Sequence, residues 1–245
     1  MRTAQDALRL HRWDVTPAEA RALQLEWSGR VERRDRIGRI RRVAGTDVAF
    51  DPPGRPTWRS GEAVAGVVVF LYPGGEELER ATARVPVTFP YVPGLLSFRE
   101  IPALLDALGR LRQAPDLIFC DGQGYAHPRR FGLASHLGVL LDAPTIGCAK
   151  SRLIGEHVEP GQRAGAWAPL VDAGERIGAA LRTRATARPI YVSTGHRVSL
   201  ERAIALTMEM CDGRRIPVPT RVADRCVAQA KREGSMAEER SGRSR

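Results

Sequence analysis

The chain is poor in lysine, in aromatic residues and in long apolar runs. Of its 38 Lys and Arg residues, only Lys150 and Lys231 are lysines. Aromatic residues make up 6%, too few for ring stacking to be the main way of holding a single-stranded nucleic acid. The longest strongly apolar run, Ala63 to Tyr72, is about half the length of a membrane span, so no membrane association is expected. The first residues, Met-Arg-Thr-Ala-Gln-Asp, carry no apolar stretch of the kind a secretory leader needs. Four cysteines, Cys120, Cys148, Cys211 and Cys226, show neither CxxC nor zinc spacing. Free thiols in a reducing cytoplasm are the expectation.

What is present is arginine. The 245 residues carry a formal net charge of +10, which calls for a polyanionic partner. A hydrophobic share of 43% is ample for a packed core and excludes global disorder. No internal repeat is visible. The expected organisation is one domain over residues 1–236, with a basic, helical N-terminal region at 1–42, and a disordered basic tail at 237–245.

Thr16-Pro17-Ala18-Glu19 reads as a helix start, with Thr16 as N-cap, Pro17 in the first turn and Glu19 closing a capping box. Leu23, Trp27 and Val31 supply an apolar stripe. The arginine run from Arg30 to Arg42 is either a solvated helix face or a phosphate-contacting surface. Val43–Phe50, Ala63–Tyr72 and Leu78–Val87 read as three strands joined by Pro/Gly turns, an antiparallel meander. Helical spacing then takes over at Leu104, Leu105, Leu108 and Leu111. Strands at 117–122, 145–149 and 190–193 alternate with helices at 132–141 and 200–211. The fold class is therefore α/β, a mixed central sheet (antiparallel meander plus parallel strands) flanked by helices.

Three carboxylates stand out by position. Asp47 lies inside an apolar strand, Asp121 ends another, and Glu100 falls just before the leucine-striped helix. A buried carboxylate is costly unless paired or protonated. Two acids on strands of one sheet meet only by repulsion, and a hard divalent cation such as Mg²⁺ or Mn²⁺ resolves that conflict. The same cation would bind a phosphodiester. Ordinary alternatives exist for each: a strand-end turn at Asp121-Gly122, an arginine partner for Asp47, and a Ser97–Glu100 capping box. Pro102 counts against the last, since its missing N–H favours a helix that starts near Pro102 and leaves Glu100 free at its entrance.

The segment Pro90-Tyr91-Val92-Pro93-Gly94-Leu95-Leu96-Ser97-Phe98-Arg99-Glu100 resembles a signature of the endonuclease V family. Asp121-Gly122-Gln123-Gly124-Tyr125-Ala126-His127-Pro128-Arg129-Arg130-Phe131-Gly132-Leu133-Ala134-Ser135-His136 is similar to its second motif, and Val43–Phe50 to its first acidic strand. Pro144–Lys150 and Thr194–Arg197 match further family segments, and the resemblance spans roughly residues 15 to 227.

The resemblance implies a ribonuclease H-like fold. It also implies metal-dependent cleavage of DNA containing deaminated bases, chiefly hypoxanthine, at the second phosphodiester 3′ to the lesion. The ends left are 3′-hydroxyl and 5′-phosphate. Inosine in RNA is the alternative substrate. On this resemblance Asp47, Glu100 and Asp121 bind Mg²⁺ or Mn²⁺, with Asp224 as a fourth ligand or else a surface helix acid. In that fold the first and fourth strands lie side by side, so Asp47 and Asp121 meet. Lys150 contacts the scissile phosphate or attacking water, and His127 contacts phosphate, assists proton transfer, or is a plain hydrogen-bonding group. His196 matches a family position without an assigned role. Pro90, Tyr91, Val92 and Pro93 form a strand-separating wedge, and Gly94, Leu96, Gly132 and Leu153 line a pocket for the flipped base. The protein is expected to act as a monomer.

Overall fold

The computed structural model describes residues 1–51 and 61–242; the expected turn at 52–54 lies outside them. The chain opens with α1 (Ala4–Leu8) and α2 (Pro17–Ser28). The capping box forms as expected: Glu19 N–H donates to Thr16 Oγ1 at 3.3 Å, and Thr16 N–H donates to Glu19 Oε2 at 2.7 Å. Helix α2 ends at Ser28, so the arginine run is not helical. It crosses the end of the sheet as irregular chain, held by backbone bonds from Arg197 N–H to the Glu32 carbonyl (2.6 Å) and from Arg36 N–H to the Arg197 carbonyl (3.0 Å).

Strands β1 (Arg42–Asp51), β2 (Glu62–Leu71) and β3 (Glu77–Pro86) form the antiparallel meander. Almost all of β2 is buried on both faces, which its Ala/Val run allows. Helix α3 (Leu96–Gly109) carries the chain to β4 (Leu117–Cys120), which pairs parallel with β1. Helix α4 (Leu133–Leu141) leads to β5 (Thr145–Ala149), parallel with β4. After β6 (Trp167–Asp172), β7 (Glu175–Leu181) and β8 (Ile190–His196) come α5 (Leu200–Glu209) and α6 (Val218–Gly242). The sheet order is β3-β2-β1-β4-β5-β8-β7-β6. The boundary expected at residue 236 falls inside α6.

Period-two alternation in β1 divides its side chains between two cores. Ala44 joins the cluster under α3 and α4, while Val43 joins the one under α5. Gly45 and Asp47 share the face of Val43, where α6 also packs. Gly45 is required there: a Cβ would fall 2.0 Å from the Pro219 carbonyl oxygen. That close approach brings the first turns of α6 down onto β1.

One local expectation is corrected, and one hairpin is added. Helix α3 begins at Leu96, with Pro102 inside it and no side-chain cap. Ser97 Oγ bonds His136 Nδ1 at 3.0 Å instead of capping, and ten of the fourteen helical residues are buried. Packing thus outweighs the hydrogen bond that Pro102 withholds from the Phe98 carbonyl. The hairpin β6–β7 went unseen because Pro169 breaks the strand pattern. It sits at an exposed position of an edge strand, where a missing N–H costs little. Its turn, Ala173-Gly174, has both φ angles positive (51° and 78°), the geometry of a two-residue hairpin. Among the described residues, no helix is long and apolar enough to cross a membrane.

Candidate active site

The parallel register of β1 and β4 pairs Thr46 with Cys120, so the next residue on each strand, Asp47 and Asp121, stands at the same level. Asp121 N–H donates to the Thr46 carbonyl at 3.2 Å, and the two carboxyl groups are close enough for the charge of Asp121 to act on Asp47. Such a pair holds a shared proton when nothing cationic separates it. Glu100, in the second turn of α3, is buried at 6% exposure. Asp224 lies on α6, and Lys150 follows the end of β5. The Lys150 ammonium donates to Asp121 Oδ2 at 2.5 Å and lies 3.7 Å from Asp224 Oδ1.

The electrostatics record how crowded the acids are. Burial, then the charge of Asp121, pushes Asp47 up to about 7. Burial, with Asp47 and Asp121 behind it, lifts Glu100 well above the usual carboxylate range. Asp121 is raised by burial and by Asp224, against the pull of Lys150. Burial acts to lower Lys150, but its bond to Asp121 and the surrounding negative charge leave it raised overall. The lysine is therefore firmly charged and the acids are short of positive charge. Among the described residues, no three acidic, histidine or cysteine side chains stand close enough to hold a metal ion; the ammonium occupies the space between two of the carboxylates. The donor set is all carboxylate oxygen and mutually repelling, which fits a hard divalent cation.

Next to the acids is a cavity of about 400 Å³, within the size range of small-ligand sites. Asp121 and Lys150 form part of its wall. All four residues expected to hold a base, Gly94, Leu96, Gly132 and Leu153, line it, and so do Tyr91, Val92 and Pro93 of the expected wedge. Pro90 faces a separate shallow groove with Arg12 and Thr16. Tyr91 is 56% exposed, unusual for a large aromatic side chain. Gly94 has φ +77°, which an L side chain rarely adopts, so the loop turns sharply between Pro93 and α3.

His127 is buried and both its ring nitrogens are engaged. Nε2 donates to the Gly94 carbonyl at 2.9 Å, and Nδ1 accepts from Arg129 N–H at 3.2 Å. Burial, with the charge of Arg129 behind it, pushes it down to about 4. Of the three roles open to it from sequence, this geometry matches the plain hydrogen-bonding group: a neutral imidazole that holds a loop. His196 Nδ1 accepts from Glu32 N–H at 3.1 Å. Gln24 of α2, which sequence reasoning missed, lines the same cavity. Its signal was available: with Ala20 and Trp27 it lies on the buried stripe of α2, a polar residue where an apolar one is the rule.

The model of the endonuclease V family matches residues 25–225. An endonuclease V from Roseiflexus sp. is 53% identical over 220 residues, covering 89% of this chain and 95% of that protein. The crystal structure of endonuclease V from Streptomyces avermitilis superposes with a TM-score of 0.84 at 45% identity, covering 91% of this chain and 96% of the other. The Ciona intestinalis endonuclease V, solved with a 24mer DNA containing an inosine followed by a ribo-adenosine, gives a TM-score of 0.76 at 29% identity, covering 88% of this chain and 98% of that one. With the family model spanning most of the chain and relatives this similar over nearly their whole length, the chain belongs to the endonuclease V family, nucleases that act on phosphodiester bonds.

Proposed function

We propose that this protein cuts DNA that contains deaminated bases, chiefly hypoxanthine, at the second phosphodiester 3′ to the lesion, leaving 3′-hydroxyl and 5′-phosphate ends. The observation that carries this reading is the shared wall. Asp121 and Lys150 belong both to the acidic cluster and to the base-sized cavity, so a base held in one brings its own backbone to the other. The Ciona relative's complex with inosine-containing DNA supports the choice of lesion.

In this reading Asp47, Asp121 and Glu100 hold Mg²⁺, or Mn²⁺ in its place, with Asp224 as a further ligand from α6. When bound, the ion supplies Lewis acidity to the phosphate and acidifies water. The chain's own residues do the rest. Tyr91, exposed between Pro90 and Val92, enters the base stack, and the prolines keep the loop from yielding. The base leaves the duplex for the cavity, where Gly94 and Gly132 allow backbone groups near its edge, and Leu96 and Leu153 cover its faces. Lys150, released from Asp121, presents a compact ammonium to the scissile phosphate. The arginine surplus holds the rest of the backbone, a contribution that weakens steeply with salt. In the same reading the protein acts as a monomer in a reducing cytoplasm.

The test is cleavage of a duplex with one deoxyinosine in Mg²⁺ by the wild type and by Asp47→Ala. Loss of cutting in the variant is expected; survival of cutting would remove Asp47 from the metal site.

A further inference from the structure

Gln24 is 1% exposed, and its side-chain amide is a junction between three segments. Nε2 donates to the Gly94 carbonyl and to the Phe131 carbonyl, each at 3.1 Å. Oε1 accepts from Arg129 Nε at 2.6 Å. The Gly94 carbonyl also accepts from His127 Nε2 at 2.9 Å and from Arg129 Nη2 at 2.8 Å. One backbone oxygen therefore takes three donors, and a single amide supplies one of them while bridging to a second oxygen. A buried amide is costly unless its groups are paired. The same stripe of α2 is otherwise filled by Ala20 and Trp27, so packing alone does not call for a glutamine.

The two carbonyls identify the reason. Gly94 lines the cavity, and Phe131 immediately precedes Gly132, which lines it as well. Each carbonyl is fixed to the same nitrogen. We infer that Gln24 is a positioning residue: it fixes the spacing of the two backbone segments that form the base pocket, and so sets how strictly the pocket selects a deaminated purine. This rests on the reading that the cavity receives a flipped base. Hypoxanthine and adenine have nearly the same shape and differ in which edge atoms donate and accept. A pocket rejects the wrong one only if its polar groups are held where they would be left unpaired. Walls free to separate would admit water and relieve that mismatch.

Two variants separate positioning from folding. Gln24→Met keeps the length and removes all three bonds. Gln24→Glu keeps the shape and the Arg129 partner but sets an oxygen against two carbonyl oxygens. Each is measured in metal-free buffer for binding to two duplexes that differ only in inosine or adenosine at one position. Melting temperature, and kcat and KM in Mg²⁺, are measured alongside. The expected result is a fall of about tenfold in the adenosine-to-inosine Kd ratio, equivalent to about 1.4 kcal/mol, with the loss in kcat/KM carried mainly by KM. An unchanged ratio in folded variants, with both duplexes weakened equally, overturns the inference. So does a failure of both variants to fold, which would make Gln24 a residue of the fold alone. If the wild type itself shows no preference for inosine, the base-pocket reading has failed and the role of Gln24 falls with it.

Discussion

The Lys150 ammonium donates to Asp121 Oδ2 at 2.5 Å. A lysine thus stands where the family resemblance expects a divalent ion, and an ion held as proposed would compete with it for the same carboxylate. Lys150→Ala is expected to tighten Mg²⁺ binding to the DNA-free protein, read by calorimetric titration. The same variant should lose roughly 10²–10³ in single-turnover cleavage, the usual scale for one charge-stabilising group. Weaker Mg²⁺ binding in the variant would mean that the lysine assembles the acids and does not compete with the ion.

The raised acids make the metal-free protein sensitive to pH. Asp47 sits at about 7, held up first by burial and then by Asp121. An acid raised in this way keeps its proton in the folded state where the unfolded chain has lost it. Its contribution therefore favours folding below its ordinary range and is lost as pH rises from about 4 to about 7, amounting to at most about 4 kcal/mol for Asp47. Thermal unfolding in a chelator should show stability falling across that window, and Asp47→Asn should flatten the fall. Equal slopes for the two proteins would contradict the assignment.

Tyr91 is more than half exposed, so its removal should cost the fold almost nothing. Tyr91→Ala is expected to keep its melting temperature while losing affinity for an inosine-containing duplex, by roughly the 1–3 kcal/mol that one base–aromatic stack contributes. An unchanged affinity would take the tyrosine out of the base stack.

Burial, with the charge of Arg129 behind it, pushes His127 down to about 4, which favours the neutral imidazole near pH 7. Its ring donates from Nε2 to Gly94 and accepts at Nδ1 from Arg129 N–H, and a glutamine side chain also carries one donor and one acceptor. The pH–rate profile of His127→Gln should follow that of the wild type above about pH 6. A limb that disappears in the variant would restore the imidazole to proton transfer.

How much of this was legible depends on the range of each interaction. The meander, β4, β5 and the positions of Asp47 and Asp121 could be read because period-two alternation and an acid at a strand end are local patterns. The start of α3 could not: Pro102 argues locally for a late start, and only the burial of Phe98 and Ile101 against distant residues decides for Leu96. The hairpin β6–β7 was hidden by Pro169, whose tolerance depends on the strand's being at the edge. Gln24 shows the same limit at the site. Its partners Gly94, Arg129 and Phe131 lie 70 to 107 residues away, and no local pattern announces that they share one amide. Of the site residues named by resemblance, Asp121, Lys150, His127 and those of the wedge and base pocket other than Pro90 line one cavity, which spacing alone could not establish; Asp47, Glu100 and Asp224 do not line it.

The most direct test of the central claim is product mapping on matched strands. One DNA duplex and one RNA strand, each with a single inosine, are incubated with the wild-type protein and Mg²⁺, and the fragment ends are identified. The account predicts cutting of the DNA at the second phosphodiester 3′ to inosine, with 3′-hydroxyl and 5′-phosphate ends and no release of the base. Cutting of the RNA alone, or release of free hypoxanthine, would contradict it.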